Sequence, residues 1–192
     1  RHTLAAKNRR CFEYWAHEAS ILPFRYQPLL RWRMDDARNG RGIWGAIGSV
    51  THEYPDLVES VMAQVADRGS LTVSMVEGGG DRVAGMWGRS PGKQALEYLF
   101  WSGQLTARRG ANFERWYDLP ERMLPAEVLA RPTPSPDEAK KELLMAAARC
   151  HGIGTARAFQ VNETAGAFSG IGMGLNAVLT AILAPLVIAL LF

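Results

Sequence analysis

The sequence predicts an α+β fold: a winged helix-turn-helix domain followed by a helical linker and one C-terminal helix of transmembrane type. Three observations predict it. Apolar residues recur at helical spacing from Pro55 and again from Pro91. Residues 104–118, directly after the second of these helices, read as two strands about a turn. The last charged residue is Glu163, so residues 164–192 carry no charge at all.

Taken in order, CFEYWAHEAS at 11–20 is rich in aromatics and reads as a buried strand or short extended segment. A helix follows Pro28, with Leu29, Leu30, Trp32 and Met34 supplying apolar surface. Residues 39–49 hold Gly40, Gly42, Gly45 and Gly48 and read as a loop with Trp44 embedded. From Pro55, Leu57, Val58, Val61, Met62 and Val65 fall on one face of a helix that Gly69 ends. Ser70 caps a short helix, LTVSMVE, which stops at the glycines 78–80. Ser90 and Pro91 open the next helix, with Ala95, Leu96, Leu99 and Phe100 inward and Gly103 closing it. QLTARRGANFERWYD then forms a hairpin about Arg109–Gly110–Ala111–Asn112. Helix, short helix, helix and hairpin is the order of a winged helix, and the helix from Pro91 takes the recognition position.

Residues 119–136 contain five prolines and read as an extended connector. Ser135, Pro136, Asp137 and Glu138 form a capping box for a helix to about Arg149. The apolar tail is long enough to cross a bilayer, which takes about 20 residues. Gly166, Gly170 and Gly174 give it small-xxx-small spacing, and Pro185 introduces a kink. The domains expected are an incomplete N-terminal segment at 1–50, the winged helix at 51–120, the connector and helix at 121–149, and a membrane segment at 150–192.

The formal net charge of +3 permits nucleic-acid binding without requiring it. Cys11 and Cys150 form no CxxC pair and no zinc-type spacing with histidine, which argues against a disulfide framework or a zinc site. No metal and no cofactor is expected. The opening RHTLAAKNRR has no signal-peptide apolar region, so residues 1–149 are expected in the reducing cytoplasm; a start at Arg1 is expected of a fragment. HEAS is not the HExxH of zinc proteases, because Ile21 stands where the second histidine belongs. Glycines 78–80 precede no GKS or GKT and make no phosphate loop.

The strings CFEYWAHEASILP, RWRM, GKQALEYLFWSGQLTARRGANFERWYDLPERMLP and PTPSPDEAKKELL resemble the YcaQ/AlkZ-type family of winged-helix DNA glycosylases over residues 10–149. The resemblance implies tandem winged helices and excision of alkylated bases, including those in interstrand crosslinks, by hydrolysis of the N-glycosidic bond. It implies a catalytic Gln-x-Gln or Gln-x-Asp before the FEYWAHEAS string. No such motif stands there, and Gln27 and Gln104 lie elsewhere. The resemblance thus implies a DNA-binding fragment of a glycosylase-like protein, inactive as it stands. From His151 the tail resembles the end of the LrgB/CidB family of membrane proteins linked to murein hydrolase control, so a chimera joined near 149–151 is expected. The alternatives are a non-catalytic winged-helix DNA-binding or transcription module, and an LrgB-type membrane protein. The partners expected are double-stranded DNA, alkylated or crosslinked, and a membrane through residues 166–192.

Candidate DNA contacts are Lys93, Gln94 and Trp101 on the recognition helix, where lysine can neutralise a phosphate and glutamine read an adenine edge. Arg108, Arg109 and Arg115 lie on or beside the wing, where arginines meet phosphates or a narrow minor groove. Arg115 has the alternative of pairing with Glu114 or Asp118. Trp15, Trp44 and Trp101 are candidates for stacking on bases or for the core. His17 and Glu18, the polar pair within the aromatic string, are placed beside a damaged-base pocket by the resemblance, with a purely structural role as the alternative.

Overall fold

The computed structural model describes residues 10–16, 19–81 and 89–151. The chain divides into two compact units, residues 1–139 and 140–192.

The first unit opens with an antiparallel hairpin, β1 (Cys11–Trp15) and β2 (Ala19–Pro23), paired from Cys11 with Pro23 to Trp15 with Ala19. The aromatic string is thus one strand and the reversal after it. Phe12 and Tyr14 are buried, and so is Glu13 between them. Helix α1 (Gln27–Arg38) carries Pro28 in its first turn, where a missing N–H costs nothing. Its Leu29, Leu30, Met34 and Ala37 are buried.

Residues 39–49 are not all loop. Two single helical turns, α2 (Gly45–Gly48) and α3 (Val50–Glu53), bury Ile47 and Val50 completely enough to outweigh the glycines. Helix α4 (Pro55–Arg68) follows the periodicity, with Val61 and Val65 innermost, and ends at Gly69 with φ +85°. The short helix expected after Ser70 does not form. Leu71 instead exchanges both backbone hydrogen bonds with Tyr117, at 2.9 and 2.8 Å, and only a 3₁₀ turn, Val73–Met75, comes after it. A long-range bridge that satisfies two peptide groups and buries Leu71 overrides a weak local preference.

Helix α5 (Pro91–Trp101) is capped as its sequence predicts, the Lys93 N–H donating to Ser90 Oγ. The triple glycine has a packing role at this cap. The Gly92 N–H donates to the Gly79 carbonyl, and a Cβ on Gly92 would come within 2.6 Å of Gly79 Cα. Strands β3 (Thr106–Arg109) and β4 (Arg115–Asp118) form the second hairpin, in register from Thr106 with Asp118 to Arg109 with Arg115. With the Leu71 bridge lying along β4, α4, α5 and the hairpin form a winged helix. Its core is Val61, Val65, Leu71, Leu96, Leu99, Phe100, Leu105 and Tyr117.

The connector is folded, not extended. Pro120 starts one helical turn, α6 (Pro120–Met123), and Pro125 precedes another, α7 (Ala126–Leu129). Leu124 and Val128 anchor them in the core. Two arginines tie the connector to earlier helices: Arg122, within α6, donates to the carbonyls of Val65 and Ala66 in α4, and Arg31 of α1 donates to those of Val128, Leu129 and Arg131. Proline here starts turns as readily as it breaks helices.

Helix α8 (Pro136–His151) begins at the predicted capping box. Ser135 N–H donates to Glu138 Oε2 at 3.0 Å, and Glu138 N–H to Ser135 Oγ at 3.3 Å. The transmembrane helix is corrected: among the described residues no helix is long and apolar enough to cross a membrane. Residues 152–192, where it was expected, lie outside the described residues.

Candidate nucleic-acid interface

Glu13 sits in β1 between Phe12 and Tyr14 and is 5% exposed, while Glu97 sits on α5 at 4%. A buried carboxylate is costly unless it is paired and hydrogen-bonded. Both are. Arg109, at the end of β3, donates to Glu13 through Nε (2.7 Å) and Nη2 (2.5 Å). Arg115, at the start of β4, donates to Glu13 through Nη2 (2.5 Å) and to Glu97 through Nη1 (2.7 Å). Glu97 also accepts from the Tyr117 hydroxyl at 2.9 Å and from Trp15 Nε1 at 3.4 Å, and Lys93 Nζ stands 4.0 Å away. The β1 strand, the recognition helix and both wing strands therefore meet in one network.

Its electrostatics follow from the packing. Burial works against the charge of Arg115, but Glu97, Tyr117 and Glu13 outweigh it and hold the guanidinium above its ordinary range. Burial and then the charge of Glu97 push the Tyr117 hydroxyl well above 10, against the opposing pull of Arg115. Tyr14, whose hydroxyl donates to the Trp101 carbonyl at 2.7 Å, is raised chiefly by burial.

A cleft of about 470 Å³ opens between the start of α5 and the wing, with Glu97, Arg109, Arg115 and Tyr117 of the network in its lining. Arg89 and Lys93 line one side, Phe113 and Glu114 at the wing tip another, and Trp15 and Trp44 the apolar wall. The Arg89 guanidinium lies 5.8 Å over the Trp44 ring. Trp15 stacks on Trp101 with centroids 5.2 Å apart and planes at 20°.

The predicted contacts separate against this geometry. Lys93 is half-exposed at the cleft, and Gln94 is half-buried in the first turn of α5. Arg108 is exposed on the wing, 5.4 Å over the Trp116 ring. Trp101, by contrast, is 4% exposed and packs with Ala37 and Ile47, so no base can reach its face. Arg115, its side chain 10% exposed, spends its donors on Glu13 and Glu97 instead of on Glu114 or Asp118. Arg109 is shared between Glu13 and the wing backbone. His17 and Glu18 lie outside the described residues.

Sequence reasoning missed Glu13, Glu97, Arg89 and Phe113. One signal for Glu97 was present: Lys93, Glu97 and Trp101 recur every four residues and so share a helix face. Glu13 gave a weaker one, a lone charge amid aromatic residues. The arrangement suits gripping more than proton transfer, since both buried carboxylates are committed to cations. Among the described residues no three His, Cys, Asp or Glu side chains gather as a metal site requires.

The sequence matches the family described as DNA glycosylase AlkZ-like over residues 2–185. No solved structure matches the chain. The match overturns the expected LrgB/CidB chimera, because it continues through the supposed junction at 149–151 and takes in most of the apolar tail.

Proposed function

The chain belongs to the DNA glycosylase AlkZ-like family, and on that premise we propose that residues 51–120 are its duplex-DNA grip, acting in repair of alkylated or crosslinked bases. The observation that carries the reading is the cleft between α5 and the wing, with Arg89 and Lys93 on one side and the wing on the other. Lys93, Gln94 and Arg108 are the proposed DNA-contacting residues. Arg109 and Arg115 hold the wing strands through their ion pairs with Glu13 and Glu97. Phosphate neutralisation by such cations releases counterions and makes affinity fall with salt.

The proposed contribution of these residues is binding and not hydrolysis. The sequence contains no Gln-x-Gln or Gln-x-Asp, and Glu13 and Glu97 are held in ion pairs that leave neither free to position water. The same reading puts the protein in the cytoplasm, with the DNA.

The test is fluorescence anisotropy of the full chain on three duplexes at several salt concentrations: intact, alkylated and crosslinked. Binding that weakens with salt and favours a lesion supports the reading. Equal affinity for all three would instead make this a lesion-blind winged-helix module, and no binding at low salt would end the DNA reading. Chromatography for released base on the same samples checks the assignment of binding without hydrolysis.

A further inference from the structure

The tip of the wing has an unusual backbone. Residues 111–113 form a 3₁₀ turn in which two consecutive non-glycine residues take positive φ, Asn112 at 55° and Phe113 at 61°. Asparagine visits the left-handed region readily, because its short amide bonds locally. Phenylalanine does not, since its Cβ crowds the following carbonyl. The Phe113 ring is also 64% exposed, the most exposed large apolar side chain described. An apolar ring held outward in a strained conformation is the opposite of what folding alone selects.

Three contacts impose the conformation. The Arg109 Nη1 donates to the Phe113 carbonyl at 2.8 Å, while the same guanidinium is clamped by Glu13. The Gly110 N–H donates to the Glu114 carbonyl at 2.8 Å and the Glu114 N–H to the Ala111 carbonyl at 3.1 Å. Beneath the turn, the Trp116 indole occupies the space a side chain at residue 110 would need: a Cβ there would lie 2.5 Å from Nε1. The buried carboxylate of β1 thus reaches the wing tip through a single arginine. Strain that persists because its surroundings over-determine it is found at ligand clamps.

We propose that Phe113 is a wedge that inserts between adjacent base pairs of duplex DNA when the wing enters the groove. The proposal rests on the DNA-gripping reading above and deepens it. The chemistry fits. Apolar side chains at wedge positions partly unstack a base step from the minor groove and kink the duplex. Exposed Arg108 on β3, and Arg89 and Lys93 across the cleft, supply cations to hold the flanking phosphates. Because Arg109 is bonded to the Phe113 carbonyl, the ring is presented in a fixed direction before DNA arrives, which spares the ordering cost at binding.

The experiment uses the full chain and a set of short duplexes, each with one 2-aminopurine at a different position. This base brightens when unstacked. The wild type is expected to raise its fluorescence at one step or two neighbouring steps. Phe113→Ala and Phe113→Gly should abolish the rise and weaken binding by about tenfold, the scale of one lost aromatic–base contact, while keeping the salt dependence. Phe113→Trp should keep both. Circular dichroism melting of each variant establishes that it is folded. Salt-dependent binding with no fluorescence change, or a rise that survives Phe113→Ala, overturns the wedge and leaves the DNA grip standing. Failure of the wild type to bind at low salt overturns both.

Discussion

Arg109 joins the first hairpin to the wing: it binds Glu13, 96 positions earlier, through two hydrogen bonds of 2.7 and 2.5 Å. Glu13 accepts from Arg115 as well, so one carboxylate in β1 holds the end of β3 and the start of β4 together. The wing of this winged helix is anchored by a strand that lies outside the winged helix in sequence.

Glu13→Ala removes a buried acceptor and takes one partner from each of two guanidiniums, of which Arg115 is the more deeply buried. The expected loss is about 3 kcal/mol, as for one partner removed from a buried pair. Urea denaturation of wild type and variant measures it. A loss below about 0.5 kcal/mol, the range of an ordinary surface change, would contradict the anchoring role.

Arg108 and Arg115 are expected to diverge. Arg108→Ala should leave the melting temperature near that of the wild type and lower the slope of log affinity against log salt by about one, the effect of one lost phosphate contact. Arg115→Ala should instead unfold the wing, because it leaves Glu13 and Glu97 buried and short of partners. Anisotropy titrations paired with thermal melts separate the two, and the reverse pattern would reject the assignment.

The pH dependence follows from Tyr14 and Tyr117, whose hydroxyls are raised by burial above the ordinary value of 10. Above that pH the unfolded chain loses these protons while the folded one keeps them. Unfolding then releases protons, and stability falls as pH rises. Their contribution is complete below pH 10 and declines from there upward. Ultraviolet titration should show two tyrosines ionising only as the fold is lost; ionisation of all five in one native step near 10 would refute this.

The strain at the wing tip is measurable without DNA. Phe113→Ala keeps a Cβ at φ 61°, and Phe113→Gly does not. The glycine variant is expected to be the more stable of the two by about 1 kcal/mol, the left-handed cost less the entropy glycine loses on folding. A more stable alanine variant would show that the turn relaxes.

Much of the framework was legible because it is local. Val61 and Val65, the Ser90 cap, the Arg109–Asn112 turn region and the Ser135–Glu138 box each depend on neighbours within a few residues, and each stands where the pattern put it. Residues 71–77 and 119–136 were misread for one shared reason. Leu71 takes its partner from Tyr117, and the turns at Pro120 and Ala126 are held by Leu124, Val128, Arg31 and Arg122. The groups that decide these segments lie far away in sequence: Tyr117 for Leu71, Arg31 for the carbonyls of Val128, Leu129 and Arg131, and the Val65 and Ala66 carbonyls for Arg122. The tail from His151 was assigned to a second family on a local resemblance, whereas the family match of the whole chain runs on through it to residue 185.

By itself the sequence determined the longer helices, the wing hairpin, the Ser90 and Ser135 caps and the family strings, since spacing, turn chemistry and capping act over one or two turns of chain. Only the tertiary structure decided which charged residues face solvent. Arg108 and Arg109 are adjacent and identical in type, yet one is exposed and the other is bound to Glu13. A guanidinium's role is set by the carboxylate that the fold brings to it, and that distance is a property of packing and not of order along the chain.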